Sequence, residues 1–317
     1  MRRPSVAGRG ALVTVVAVAT ALLLTACVGN TPSAAPSAEA SSVKLQVVAS
    51  FYPLQFIVNR IGGDRVHVSN LTPAGAEPHD LELTADDTAR LQDADLVVYL
   101  SGFSSAVDDA VDSVAGDHAF DVATFADLDL SYRQIDGGRQ SGTSSTDPHF
   151  WLDPVRLANV ADQVAGRMAE LDRDDSDLYG ANASSLRADL LALDNDFTAG
   201  LAQCANRTIV TTHNAFGYLA DRYGMTQVGI TGLTPEDEPS PQQLARATDF
   251  VEANNVHTIY FETLISPSIA DTLAAETGAK TAVLDPLEGL SSTSAGSDYL
   301  EIMRANLGNL REGQPCA

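Results

Sequence analysis

Strand-like and helix-like stretches alternate from Leu45 to Leu100, and this alternation constrains the fold more tightly than any other feature of the chain. Leu45–Ser50 is apolar enough for a buried strand, and Pro53–Gly63 carries proline at its first turn and glycine at its end, as a helix does. Val66–Leu71 alternates and reads as a second strand. Thr84 can cap a helix over Ala85–Gln92, and Asp95–Leu100 is a third strand. Parallel neighbours need crossovers, so this order predicts a parallel sheet with helices on its faces. Ligands of such sheets sit beyond the carboxyl ends of the strands, which is where the loop Thr72–His79 falls.

The plan recurs after residue 204. Strands are expected at Arg207–Thr212, Thr226–Ile230, His257–Glu262 and Lys280–Leu284. Helices are expected over Asn214–Tyr223, from Ser240, from Ser266 to Gly278, and over Asp298–Arg311. Ser240-Pro241-Gln242-Gln243 has a capping serine, proline at the first helical position and glutamine three after the cap. Between the halves, Leu157, Val160, Val164, Met168 and Leu171 recur at helical steps, and Leu186, Leu190, Leu193, Phe197 and Leu201 mark a second, longer helix. The expected fold is therefore α/β. Two lobes, each with a parallel-rich sheet flanked by helices, are joined by one long rigid connector helix. The expected boundaries are 45–176 for the first lobe, 177–203 for the connector and 204–317 for the second lobe. Leu130–Thr146 is rich in serine, glycine and threonine and reads as a loop.

Residues 1–27 have the form of an export signal. Arg2, Arg3 and Arg9 precede an apolar run of about 15 residues, which ends in Leu24-Thr25-Ala26-Cys27. A membrane span needs about 20 apolar residues. The pattern is that of a lipoprotein, with a lipid on Cys27 holding the chain on the outer face of the cell membrane and residues 28–44 as a flexible tether. Cys204 and Cys316 then remain as an even pair in a disulfide-permissive compartment and are expected to bond. The net charge of −23 repels phosphate backbones, so nucleic acid is excluded as a partner, and a monomer is expected.

Four metal-ligand candidates, His79, His149, His213 and Asp285, stand roughly 70 positions apart, far wider than the 20 to 30 residues of a local finger. One ligand from each quarter of the chain would make a cation the tie between lobes. Three imidazoles and one carboxylate suit zinc. Glu77, two before His79, and Glu262, at a strand end, are candidates to orient the ligating rings, as are Asp153 and Glu238, although a cap or a solvated loop acid accounts for the last two at least as well. His67, His118 and His257 read as structural.

The stretches Glu77-Pro78-His79-Asp80, Asp147-Pro148-His149-Phe150-Trp151-Leu152-Asp153-Pro154, His213-Asn214-Ala215-Phe216-Gly217-Tyr218-Leu219-Ala220, Glu238-Pro239-Ser240-Pro241 and Leu284-Asp285-Pro286-Leu287 resemble motifs of the zinc/manganese solute-binding proteins of ABC importers. The resemblance covers residue 45 to the end. It implies two lobes on one rigid helix, with a metal bound by His79, His149, His213 and Asp285. In that family a histidine at the position of His213 goes with zinc, and a glutamate there with manganese. Many zinc members carry a histidine-rich loop before the second ligand, whereas Leu130–Thr146 holds no histidine. The function implied is capture of Zn(II), with Mn(II) as the alternative, and delivery to an ABC-type permease in the cytoplasmic membrane. A zinc hydrolase with Glu77 or Glu262 as base is the rival from another class. Against it, the chain has no His-Glu-x-x-His run and Asp285 would fill the open position, so no enzyme is expected.

Overall fold

The computed structural model describes residues 44–131, 146–232 and 238–317. The export signal, Cys27 and nearly all of the tether lie outside the described residues, as does most of the Leu130–Thr146 loop. Among the described residues no helix is long and apolar enough to cross a membrane.

The first half contains β1 (Leu45–Ala49), α1 (Tyr52–Gly62), β2 (Val66–Asn70), α2 (Ala85–Asp93), β3 (Leu96–Tyr99), α3 (Ser105–Ala110) and β4 (Ala119–Asp121). All pairings are parallel, in the order β2-β1-β3-β4. Thr84 caps α2 in a full capping box with Asp87. Two long helices follow, α4 (Pro154–Leu171) and α5 (Ser176–Leu201). Asp153 caps α4 by accepting from the Val155 and Arg156 amides, and Pro154 opens the helix. Asp153 is thus a helix cap and not a partner of a histidine ring.

The second half contains β5 (Thr208–Thr211), α6 (Gly217–Arg222), β6 (Thr226–Gly229), α7 (Pro241–Ala253), β7 (Thr258–Phe261), α8 (Ser268–Thr277), β8 (Lys280–Val283) and α9 (Tyr299–Gly313). Its strands are also parallel, in the order β6-β5-β7-β8, so both sheets have one plan. Ser240 caps α7 with the expected capping box. Cys204 and Cys316 are bonded across 112 positions, which fastens the C-terminus beside the end of α5.

The 26 residues of α5 span about 39 Å at 1.5 Å per residue. Leu186, Leu190, Leu193 and Phe197 are buried along one stripe, and the helix packs on α1 and α4 as well as on α9. One hydrophobic cluster runs through both halves, from Val47 and Phe56 through Trp151 and Phe197 to Tyr299 and Leu310. Phe56 on α1 stacks on Tyr299 of α9 with ring centroids 5.3 Å apart, and the Tyr299 hydroxyl donates to the Trp151 carbonyl at 2.5 Å. Trp151, fully buried, donates its indole N–H to the Pro286 carbonyl at 2.8 Å. The halves are therefore joined by packed side chains as well as by a helix.

Candidate metal centre

Carboxyl-end loops of both sheets deliver the site. His79 lies in the loop after β2, His213 directly after β5, and Glu262 directly after β7, while His149 comes from the turn that leads into α4. The local design of the first two histidines is the same. In Glu77-Pro78-His79 the acid accepts the histidine amide at 3.1 Å, and in Asp147-Pro148-His149 it does so at 2.9 Å. The second acid goes further, because Oδ1 of Asp147 also lies 2.7 Å from Nδ1 of the His149 ring. That contact turns Nε2 of His149 inward. The backbone carbonyl of His213 is held by the Thr211 hydroxyl at 2.5 Å and the Gln227 amide at 3.0 Å, and its Nδ1 lies 2.7 Å from Oε1 of Glu262.

Three of the four expected ligands meet. His79, His149 and His213 converge with Glu288, each offering one atom within 4.8 Å of the others. Nε2 of His79 and Nε2 of His149 are 3.3 Å apart, and Oε1 of Glu288 lies 2.9 Å from the latter and 3.4 Å from the former. Asp285 is not in this group, and the carboxylate that joins the histidines is Glu288. The reason is local. Oδ1 of Asp285 accepts the Leu287 amide at 2.8 Å, and the turn so closed points the next acid, not Asp285, at the rings. His67, His118 and His257 are exposed, outside the cluster.

The cluster is almost closed off from the surface, with His149, His213 and Glu288 fully buried. Burial lowers the pKa of His79, and Glu288 only partly opposes it. For His149 burial is outweighed by Asp147 and Glu288, which push it up to about 9. His213 is also raised, burial again being outweighed, here by the Glu262 carboxylate. Glu288 is held well below the usual carboxylate range despite its burial, by hydrogen bonds from His149 and His79. Asp285, by contrast, is pushed up to about 6, chiefly by burial. Nε2 of His213 and Oε2 of Glu288 are buried without a hydrogen-bond partner. Buried polar atoms are normally satisfied, so two unpartnered lone-pair atoms on residues of one cluster fit a cation. Three imidazoles and one carboxylate are a donor set that would suit zinc.

Two residues that the structure brings to the cluster are not among the candidates read from the sequence. Glu288 stands one position beyond the Leu284–Leu287 motif, and strand-end placement favoured Asp285. Asp147 was in view as part of its motif, and the repeated acid-proline-histidine pattern was the signal that could have assigned it to the His149 ring.

Comparison with known proteins agrees with this geometry. The family described as "Zinc-uptake complex component A periplasmic" matches residues 47–313. The high-affinity zinc uptake system protein ZnuA of Bacillus subtilis is 38% identical over 304 residues, covering 93% of this chain and 95% of that protein. The zinc-binding lipoprotein AdcA of Streptococcus pneumoniae is 35% identical, and this chain spans 56% of its length. Among solved structures, the Zn(II)-bound ZnuA-like domain of that AdcA superposes with a TM-score of 0.72 at 34% identity, covering 86% of this chain and 99% of the domain. The laminin-binding protein Lmb of Streptococcus agalactiae, described as having adhesin and metal-transporting activity, gives 0.74 at 35%, covering 86% of this chain and all of that one.

Proposed function

This chain belongs to the periplasmic zinc-uptake complex component A family, and from that premise we propose that it captures Zn(II) outside the cytoplasmic membrane and hands it to an ABC-type permease. The observation that carries the reading is the convergence of His79, His149, His213 and Glu288 from four separate segments on one buried centre. Zinc is the cargo. Neutral imidazoles favour it, whereas manganese is better served by oxygen-rich sets.

The family is one of solute-binding proteins, and the donor set argues against hydrolysis. A catalytic zinc keeps one position open for water, and here Glu288 would supply a fourth ligand beside the three histidines. The remaining layout belongs to the same proposal. Residues 1–27 are a lipoprotein signal ending in a lipidated Cys27, 28–44 a tether, 45–176 and 204–317 the two lobes and 177–203 the connector, and the mature protein acts as a monomer.

Elemental analysis of the purified mature protein after competition between zinc and manganese tests the cargo. One zinc per chain is expected, and none in a His79→Ala, His149→Ala, His213→Ala triple variant. A triple variant that still holds one zinc refutes the reading. Cys27→Ser should release the protein from the membrane fraction, and its retention there would overturn the anchor.

A further inference from the structure

The loop after β8 that carries Glu288 is held in an unfavourable backbone conformation by residues from both halves of the molecule. Leu287 has a φ of 58°, in the left-handed region that leucine avoids because its Cβ crowds the following carbonyl. Its side chain is fully buried, and Pro286 before it has a fixed φ. Such a conformation persists where the surroundings over-determine it. Here they do so by five hydrogen bonds. Asn306 on α9 accepts the Asp285 amide at 2.9 Å and donates to the Asp285 carbonyl at 2.7 Å. Asp285 itself accepts the Leu287 amide at 2.8 Å. From the first half, Trp151 donates to the Pro286 carbonyl at 2.8 Å, and the Gly75 amide in the His79 loop donates to the Leu290 carbonyl at 2.8 Å. Glu288 sits between these last two bonds.

We propose that Asp285 and Asn306 are positioning residues that hold the Leu287 turn so that the Glu288 carboxylate reaches the histidines, and that this turn sets how slowly the cation leaves. The inference rests on the reading of Glu288 as a ligand. Asp285 works through one oxygen that accepts an amide, so its charge is dispensable and an asparagine can do the same. Glu288 works as an anion, so a glutamine cannot replace it.

The test compares Asp285→Ala, Asp285→Asn and Glu288→Gln by zinc dissociation in stopped flow against a chelator, and by the visible spectrum of the cobalt-loaded proteins. Loss of an outer partner of a ligand costs about 10- to 100-fold in metal affinity, so Asp285→Ala should release zinc faster by about that factor. Its association rate should stay within about threefold of wild type, because interactions made in the bound state act mainly on dissociation. Its cobalt spectrum should move toward that of Glu288→Gln, while Asp285→Asn keeps the wild-type rate and spectrum. Equal losses in Asp285→Ala and Asp285→Asn would overturn the proposal by making the charge the active feature. So would an unchanged dissociation rate in Asp285→Ala beside a fast one in Glu288→Gln. Unchanged affinity in Glu288→Gln would instead sink the ligand assignment itself. If Asp285→Ala does not fold, Trp151→Phe keeps the ring and removes the bond to Pro286. It should speed release without changing association, and a wild-type rate there overturns the proposal.

Discussion

Arg222 on α6 joins three elements that the sequence keeps far apart, and breaking this clamp should cost stability without costing zinc. Its guanidinium meets Asp194 on α5 at 2.5 and 2.7 Å and the α4 cap Asp153 at 3.3 Å, while the Tyr223 hydroxyl donates to Asp194 at 3.0 Å. Hydrogen bonds to charged groups contribute about 1.5 to 3 kcal/mol each, but Arg222 is 29% exposed, so solvent screening brings the coupling of the pair to about 2 kcal/mol. A double-mutant cycle of Asp194→Asn and Arg222→Met, read by urea unfolding of the zinc-free protein, measures that coupling. At about 2 to 4 °C per kcal/mol, each single variant should melt about 4 to 8 °C lower. The pH dependence follows from Asp194, whose burial would raise its pKa but which Arg222 and Tyr223 hold below the usual range. A carboxyl depressed in the folded state stabilises above its unfolded value, near 4, and that contribution is lost as the pH falls through the folded value. The gap between wild type and Asp194→Asn should therefore be full at pH 7 and close as the pH falls through the lowered folded value. A coupling under about 0.5 kcal/mol, the level of an ordinary exposed pair, would refute the reasoning, as would a gap that persists in acid.

Three other perturbations separate the frame from the site. A Cβ on Gly217 would fall on the Asp147 carboxylate, so Gly217→Ala should push that acid off the His149 ring and weaken zinc binding about 10- to 100-fold in a chelator competition, although it touches no ligand. Glu262→Gln, which removes the charge beside Nδ1 of His213, should cost a similar factor, and full affinity would deny it an orienting role. Replacing Cys204 and Cys316 by serine should lower unfolding free energy by about 2 to 5 kcal/mol while zinc stoichiometry stays at one.

The strands at 45–49 and 208–211 were legible because strands inside a parallel sheet, buried on both faces, leave near-continuous apolar runs. The caps at Thr84 and Ser240 were legible because a side-chain oxygen three residues ahead of its donor is a local signal. Strand β4 was not, since three half-buried residues carry no periodicity. The expected helix from Asn214 begins at Gly217, because the Asn214 amide and side chain donate to the Gly232 and Thr231 carbonyls instead of entering the helix. The carboxylate beside the histidines is Glu288 and not the expected Asp285 for a related reason. Even spacing and strand ends treat the halves as equivalent, and the sheets are equivalent, yet their contributions are not. His79 follows the second strand of its sheet, His213 follows the first of its own, and His149 follows none. Choosing between Asp285 and Glu288 needed the turn at Leu287, and a positive φ at leucine leaves no mark in sequence.

The aromatic floor under the cluster bears on how a cation can enter and leave. Phe103 lies 4.5 Å from the His79 ring and 5.5 Å from Trp151, and Trp151 lies 5.2 Å from the His149 ring, all measured between centroids. Phe51 packs on both Phe103 and Trp151. Two ligands thus rest on side chains that belong to the cluster shared by both halves. Swinging the halves apart as rigid bodies would expose that core at about 25 cal/mol for each Å² of apolar surface, and would break the Trp151 and Tyr299 hydrogen bonds as well. The His79 loop is held less firmly. Pro73, Ala74 and Gly75 are exposed, and one backbone bond, from Gly75 to Leu290, ties its tip to the second half. Local opening follows the segments with the fewest buried contacts. Zinc release is therefore expected to begin by lifting His79 from its edge of the cluster, since His149 and His213 are fully buried and held by Asp147 and Glu262, and hydrogen exchange of the zinc-free protein should show the 72–79 amides opening before those beside His149 and His213.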